Sequence, residues 1–156
     1  MPKSIVPWGR RKNVSIQEAK GGTRVGASAP AQRQLPGEAD DVAPDGSSVR
    51  VLCRLASASM AHFELRPKSI SRPIMHRTVD EIWYVLGGRG RIWRQFAGHA
   101  AETALRPGLS LTLPVGTRFQ FRSDGPEALT VLAVTAPPWP GDGEAVPASG
   151  PWAPSA

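Results

Sequence analysis

The sequence predicts an all-β domain, a sandwich or barrel of short strands joined by tight turns. Three observations predict it. Strand-forming runs rich in branched and aromatic residues recur between residues 48 and 135, each closed by glycine or proline. Nothing in that span sustains a helical period. The strongest run, residues 81–86, follows His76 closely and ends in Gly87-Gly88-Arg89-Gly90, a turn that folds a strand back on its neighbour.

Residues 1–47 read as a flexible arm. Gly, Ala, Pro and Ser dominate from Lys20 to Gly46, so the segment buries too little apolar surface to offset its ordering entropy. Two islands, Ile5-Val6-Pro7-Trp8 and Val14-Ser15-Ile16, are where the arm could dock as an edge strand on this barrel or on a second subunit; residues 13–20 could instead form a short helix. The ordered domain is expected over residues 48–140. Strands at 49–55 and 60–65 precede the turn Arg66-Pro67-Lys68-Ser69, and an extended path over 71–76 leads into 81–86. Further strands are expected at 91–96, 102–105, 109–113, 117–122 and 129–135, with His99 in a solvated turn. Pro137-Pro138-Trp139-Pro140 is an extended polyproline-like piece that packs Trp139 on the barrel, and residues 141–156 form a disordered tail.

At 156 residues the chain has room for one domain with a sizeable core. A charge of +6 and a pI near 10.4 favour acidic partners or anionic ligands. Residues 1–50 and 51–156 each carry +3, so the excess is dispersed, and without a binding motif it makes no nucleic-acid footprint. The single cysteine, Cys53, excludes an internal disulfide and fits a reducing compartment. It lies within an apolar strand run and reads as a small buried hydrophobe. No apolar run approaches the roughly 18 residues of a membrane span, and the first residues lack a signal-peptide core, so a cytoplasmic location is expected. No Ser/His/Asp set, phosphate loop or CxxC pair appears.

Two stretches carry the site. The first runs from His76 through Glu81 to Gly88; the second has Gly108, then Pro114 and Gly116, then Thr117-Arg118-Phe119-Gln120-Phe121. Over residues 60–136 this pattern resembles the two signature motifs of the cupin superfamily, small barrels of the double-stranded β-helix, jelly-roll-like type. His76 matches the second histidine of the first motif, Glu81 its glutamate and Gly88 its closing glycine. Ile74 stands at the first histidine position, and Ser69 or Lys68 stands where a glycine normally precedes the pair. In the second motif Gly108, Pro114 and Gly116 fit, while Arg118 or Phe119 takes the place of the histidine.

In that family three histidines and the glutamate converge on a divalent metal, commonly iron, manganese, nickel or zinc, and the resemblance implies such a site in degenerate form here. Strand alternation puts Ile74 and Arg72 on the face of His76, Trp83 and Val85 on that of Glu81, and pairs Arg118 with Gln120. A guanidinium cannot coordinate a metal. Three readings follow. In the first the metal is lost and Arg118 binds Glu81 or an anionic ligand group. In the second His76 and Glu81 are joined by Gln120 or His62 around a metal. In the third His76 and Glu81 are hydrogen-bonded remnants in a filled barrel. The resulting expectation is a binding protein with no cofactor. Its pocket, lined by His76, Glu81, Trp83, Arg118 and Gln120, takes a small anionic or polar molecule. The alternative is a metal-dependent isomerase, lyase or dioxygenase, with His76 or Glu81 as the catalytic candidates. The resemblance also implies a homodimer.

Overall fold

The computed structural model describes residues 29–156; the two apolar islands of the arm lie outside the described residues. Among the described residues, eleven strands follow one another: β1 (Asp41–Val42), β2 (Ser48–Arg54), β3 (Ser59–Leu65), β4 (Ile74–His76), β5 (Asp80–Gly87), β6 (Gly90–Phe96), β7 (His99–Leu105), β8 (Ser110–Leu113), β9 (Arg118–Ser123), β10 (Leu129–Ala136) and β11 (Ala145–Pro147). They make two antiparallel sheets, ordered β1-β2-β3-β10-β5-β8 and β11-β4-β9-β6-β7. This is the all-β barrel that the turn spacing predicts, in the double-stranded form that the resemblance implies. Burial alternates strictly along β5 and β10, so every second side chain enters the space between the sheets. Val85, Leu113 and Val131 from one sheet meet Ile92, Leu105 and Phe121 from the other in a single core cluster. Each such side chain stabilises the fold by about 1.5–3 kcal/mol. Trp83 stands edge-on to Phe121, ring centres 5.0 Å apart, and couples the two sheets.

The motif glycines act through the backbone. Gly88 has φ +75°, and a Cβ there would collide with the Ala128 carbonyl oxygen. The hairpin between β6 and β7 is tighter than the residues suggest: Ala97 and Gly98, both at positive φ, turn the chain by themselves, so His99 opens β7 opposite Phe96.

Both ends of the described chain differ from expectation. Within the segment read as a flexible arm, residues 40–47 lie against β2. The Asp40 carboxylate accepts a hydrogen bond from Val51 N at 2.8 Å, and Ala43, Asp45 and Ser47 are buried. Residues 141–156, read as a disordered tail, run across the outer face of the second sheet. β11 pairs with β4, Ala148 N donates to Pro73 O, and the backbone N–H groups of Ser155 and Ala156 donate to Ile70 O. The clasp is Gln120. Its Nε2 donates to Ser71 O and Trp152 O, its Oε1 accepts from Trp152 N, and the Trp152 ring lies beneath Arg122 and Arg91. Polar side chains, which apolar patterning does not register, hold both segments. Gln120→Leu, which keeps the bulk but removes three hydrogen bonds, should lower stability by about 2 kcal/mol. It should also open the tail to chymotryptic cleavage at Trp152; unchanged protection of Trp152 would show that the clasp does not hold the tail.

Candidate functional site

At one end of the barrel the inward face of β4 presents Ile74 and His76, β5 presents Glu81 and Trp83, and β9 presents Phe119. With Phe63 these line a small chamber roofed by residues 43–45, Trp139 and Ala145. Its volume is about 10 Å³, roughly the room one water needs. The His76 ring is wedged edge-on between Phe119 at 5.3 Å and Trp139 at 5.1 Å. His76 Nδ1 lies 3.3 Å from Glu81 Oε2, and both side chains are almost wholly buried. Neither atom makes an aligned hydrogen bond, and the Trp83 indole N–H lies near the Glu81 carboxyl without the alignment of a full hydrogen bond.

The pair is not an ion pair. Burial pushes the Glu81 carboxyl up to about 8, a rise that the nearby Trp83 N–H opposes and Asp45 reinforces. Burial pushes the His76 imidazole down to about 4, against the pull of the Glu144 carboxylate. At neutral pH a carboxylic acid therefore faces a neutral imidazole, a donor and acceptor that can exchange partners without creating charge. Asp45 joins them at the chamber wall, with Oδ1 accepting from Ser47 N at 2.8 Å and from Ser47 Oγ at 2.5 Å. Its carboxyl is raised by burial, with the Ser47 hydrogen bonds and the Arg72 charge opposing. Nothing in the residue pattern singles out Asp45 beyond the turn chemistry of Asp45-Gly46-Ser47.

The roof is pinned at two points. Trp139 N donates to Ser59 Oγ, and Arg54 Nη1 donates to Trp139 O, each at 2.9 Å. The Glu144 carboxylate accepts from Thr78 N at 2.6 Å, Thr78 Oγ1 at 2.7 Å and Val79 N at 2.9 Å. Burial works against its charge, but the hydrogen bonds from Thr78 and Val79 outweigh it and hold the carboxyl below its ordinary range. Between the pins, Gly141 and Gly143 sit at positive φ beside Asp142. An outer cleft of about 130 Å³, lined by Asp41, Val42, Asp142 and the two glycines, shares Pro44, Trp139 and Ala145 with the chamber.

Of the residues expected to line the pocket, His76, Glu81 and Trp83 do so, and Arg118, Gln120 and His62 do not. Phe119 and Phe121 face the core, so alternation turns Arg118 outward, opposite Met75 and Gln95, where it is exposed. Gln120 is fully buried, but under the tail rather than in the barrel. Phe63 lines the chamber, so His62 faces out of β3 between Arg50 and Leu132; its imidazole is lowered by burial first and by the Arg50 charge second. Arg118 therefore reaches neither Glu81 nor a ligand in the chamber, and neither Gln120 nor His62 can join a metal there.

The residues do not fit a divalent metal. The four positions at which the family motif puts ligands hold Ile74, His76, Glu81 and Phe119, two donors and two hydrocarbon side chains. Among the described residues no group of three or more His, Cys, Asp or Glu is arranged to hold a metal ion. No helix among the described residues is long and apolar enough to cross a membrane.

The family profile described as "Cupin domain" matches residues 61–135. No curated protein sequence matches the chain. Several solved structures share the fold. KdgF from Halomonas sp. is 20% identical with a TM-score of 0.53, over 62% of this chain and 84% of that one. An uncharacterized conserved protein with a double-stranded β-helix domain from Klebsiella pneumoniae is 18% identical with a TM-score of 0.56, over 70% and 91%. The formate complex of Lactobacillus farciminis oxalate decarboxylase is 19% identical with a TM-score of 0.54, over 60% of this chain and 29% of that one. At these identities the likeness is one of fold.

Proposed function

The chain belongs to the cupin superfamily, and from that premise we propose that its barrel binds a small polar molecule at His76 and Glu81 without a complete metal site. One observation carries the reading: His76 Nδ1 and Glu81 Oε2 are buried, 3.3 Å apart and without aligned hydrogen-bond partners. A buried polar group left unpaired costs about 1–3 kcal/mol, so a site that keeps two of them side by side is suited to a molecule that satisfies both. With Arg118 on the outer surface, an anionic ligand group finds no cation in the chamber, and of the two ligand classes expected only the polar one remains. The alternative, a metal-dependent isomerase, lyase or dioxygenase, needs a convergent ligand set, and His76, Glu81 and Asp45 at the chamber wall are not arranged as one.

Titration with compact probes such as formamide, ethanol and ethylammonium should change tryptophan fluorescence, because Trp83 and Trp139 wall the chamber. The change should vanish in the double variant His76→Phe, Glu81→Leu. Persistence in the double variant would place binding elsewhere. Elemental measurement on protein purified without a metal-binding tag should find iron, manganese, nickel and zinc well below one per chain. Stoichiometric metal that disappears in Glu81→Gln would instead establish the metal-dependent reading. The homodimer is read from the outer face of β5, where Ile82, Tyr84 and Leu86 are 51%, 47% and 44% exposed in alternate positions. Sedimentation at the monomer mass would remove it.

A further inference from the structure

We propose that the chamber and the outer cleft form one two-compartment site for a small primary ammonium compound, with the cationic head beside Glu81, His76 and Asp45 and the carbon chain passing Trp139 into the cleft. The inference rests on the reading that the chamber binds a small molecule, and it names the class.

The chemistry of the walls points to a cation with N–H donors. A cation beside Glu81 favours its ionised form, so on binding the carboxyl gives up its proton to solvent. Glu81 Oε2 and His76 Nδ1, which lack aligned partners, then both accept, and the Asp45 carboxyl adds a third acceptor at the same wall. A primary ammonium carries three donors, which match three acceptors at ordinary hydrogen-bond range, about 2.9 Å. Of the remaining lining residues four are aromatic, Phe63, Trp83, Phe119 and Trp139, and the others, Ala43, Pro44, Ile74 and Ala145, are apolar. Aromatic faces beside a desolvated cation contribute on the order of 2 kcal/mol. A box of aromatic rings with carboxyl groups at one side suits an alkylammonium and disfavours a carboxylate or phosphate. Size agrees, because the chamber's volume of about 10 Å³ matches an ammonium head, which is close to a water in size.

Charge around the entrance agrees independently. The chain as a whole carries +6, yet Asp41 and Asp142 line the outer cleft, Asp45 and Glu81 the chamber, and no Lys or Arg side chain lines either space. A locally acidic mouth on a basic protein draws cations to that spot alone. Trp139, Pro44 and Ala145 are walls of both compartments, so displacement of the Trp139 side chain joins them. Gly141 and Gly143, at φ +112° and +82°, border the cleft in the strap that carries that tryptophan.

Three two-carbon probes that differ in charge test the class: ethylammonium, ethanol and acetate, titrated into the full chain at constant ionic strength by calorimetry and tryptophan fluorescence. Ethylammonium should bind at least tenfold more tightly than ethanol, with no saturable signal from acetate. Glu81→Gln and Asp45→Asn should each weaken ethylammonium at least fivefold and leave ethanol within twofold. Ethanol or acetate binding as tightly as ethylammonium, and losing its signal in the double variant His76→Phe, Glu81→Leu, would overturn the ammonium class and leave the chamber reading standing. Identical curves from all three probes in wild type and in that double variant would overturn both. If a variant fails to fold, as judged by its thermal transition, the wild-type ranking of the three probes decides the class.

Discussion

Trp139→Ala should lower the free energy of unfolding by about 3–5 kcal/mol, the range for truncating a buried large aromatic. Trp139 is 8% exposed and its ring stands 5.1 Å from His76. The main-chain bonds that Trp139 makes with Ser59 and Arg54 do not depend on its side chain, so the strap keeps its course while the ring's volume opens. The loss should fall toward the lower end of the range, because water then reaches His76 and Glu81 and hydrates atoms that were unpaired. The same water undoes the desolvation that sets their acidities. His76 should titrate upward from about 4 toward 6.5, and Glu81 downward from about 8 toward 4.5. Urea denaturation measures the first effect and imidazole proton shifts the second. A destabilised variant whose His76 still titrates near 4 would show that Trp139 does not seal the chamber.

The second large effect concerns pH. Folded Glu81 holds its proton to about 8, whereas the unfolded chain releases it near 4.5. Between those values the folded state binds more protons, so stability falls as pH rises. His76 acts in the opposite sense: its folded value of about 4 lies below the unfolded 6.5, and stability rises with pH across that interval. From pH 4.5 to 6.5 the two slopes oppose each other, and from 6.5 to 8 Glu81 acts without His76. Over that upper limb its contribution should reduce stability by about 2 kcal/mol, at about 1.4 kcal/mol per pH unit. Glu81→Gln keeps the shape and removes the titration, so the drop between pH 6.5 and 8.5 seen in wild type should be absent in the variant. Groups that do not interact with Glu81, such as Glu144, act equally in both proteins and cancel in the comparison. Parallel curves for the two proteins would mean that Glu81 is already ionised at neutral pH.

Much of this architecture is legible in the residues, because strand and turn chemistry are local. The Gly87 to Gly90 turn, the Pro114-Val115-Gly116 turn and the alternation from Glu81 to Val85 mark β5, β6, β8 and β9 to within a residue or two. The inward placement of His76, Glu81 and Trp83 follows from the same period of two. Arg118 shows the limit of that period. A Pro-x-Gly turn can hand the next strand on in either phase, and a slip of one residue exchanges Arg118 for Phe119 at the chamber wall. Only the pairing of Ile74 with Phe119 decides the phase. Asp45 and Glu144 were illegible for a different reason. Each sits in a Gly- and Pro-rich stretch whose composition reads as unstructured, and each is held by hydrogen bonds to partners 2 and 66 residues away that no apolar pattern encodes.

The roof of the chamber has a consequence for where selectivity resides. Residues 43–45, Trp139 and Ala145 all fall outside the span 61–135 that carries the family pattern. Under the binding proposed above, the barrel is a socket, and the parts that would admit or refuse a guest are flanking chain that a domain boundary would trim away. Two chains with the same barrel strands but different flanks could therefore accept different molecules, and grafting the flanks alone should carry the preference with them.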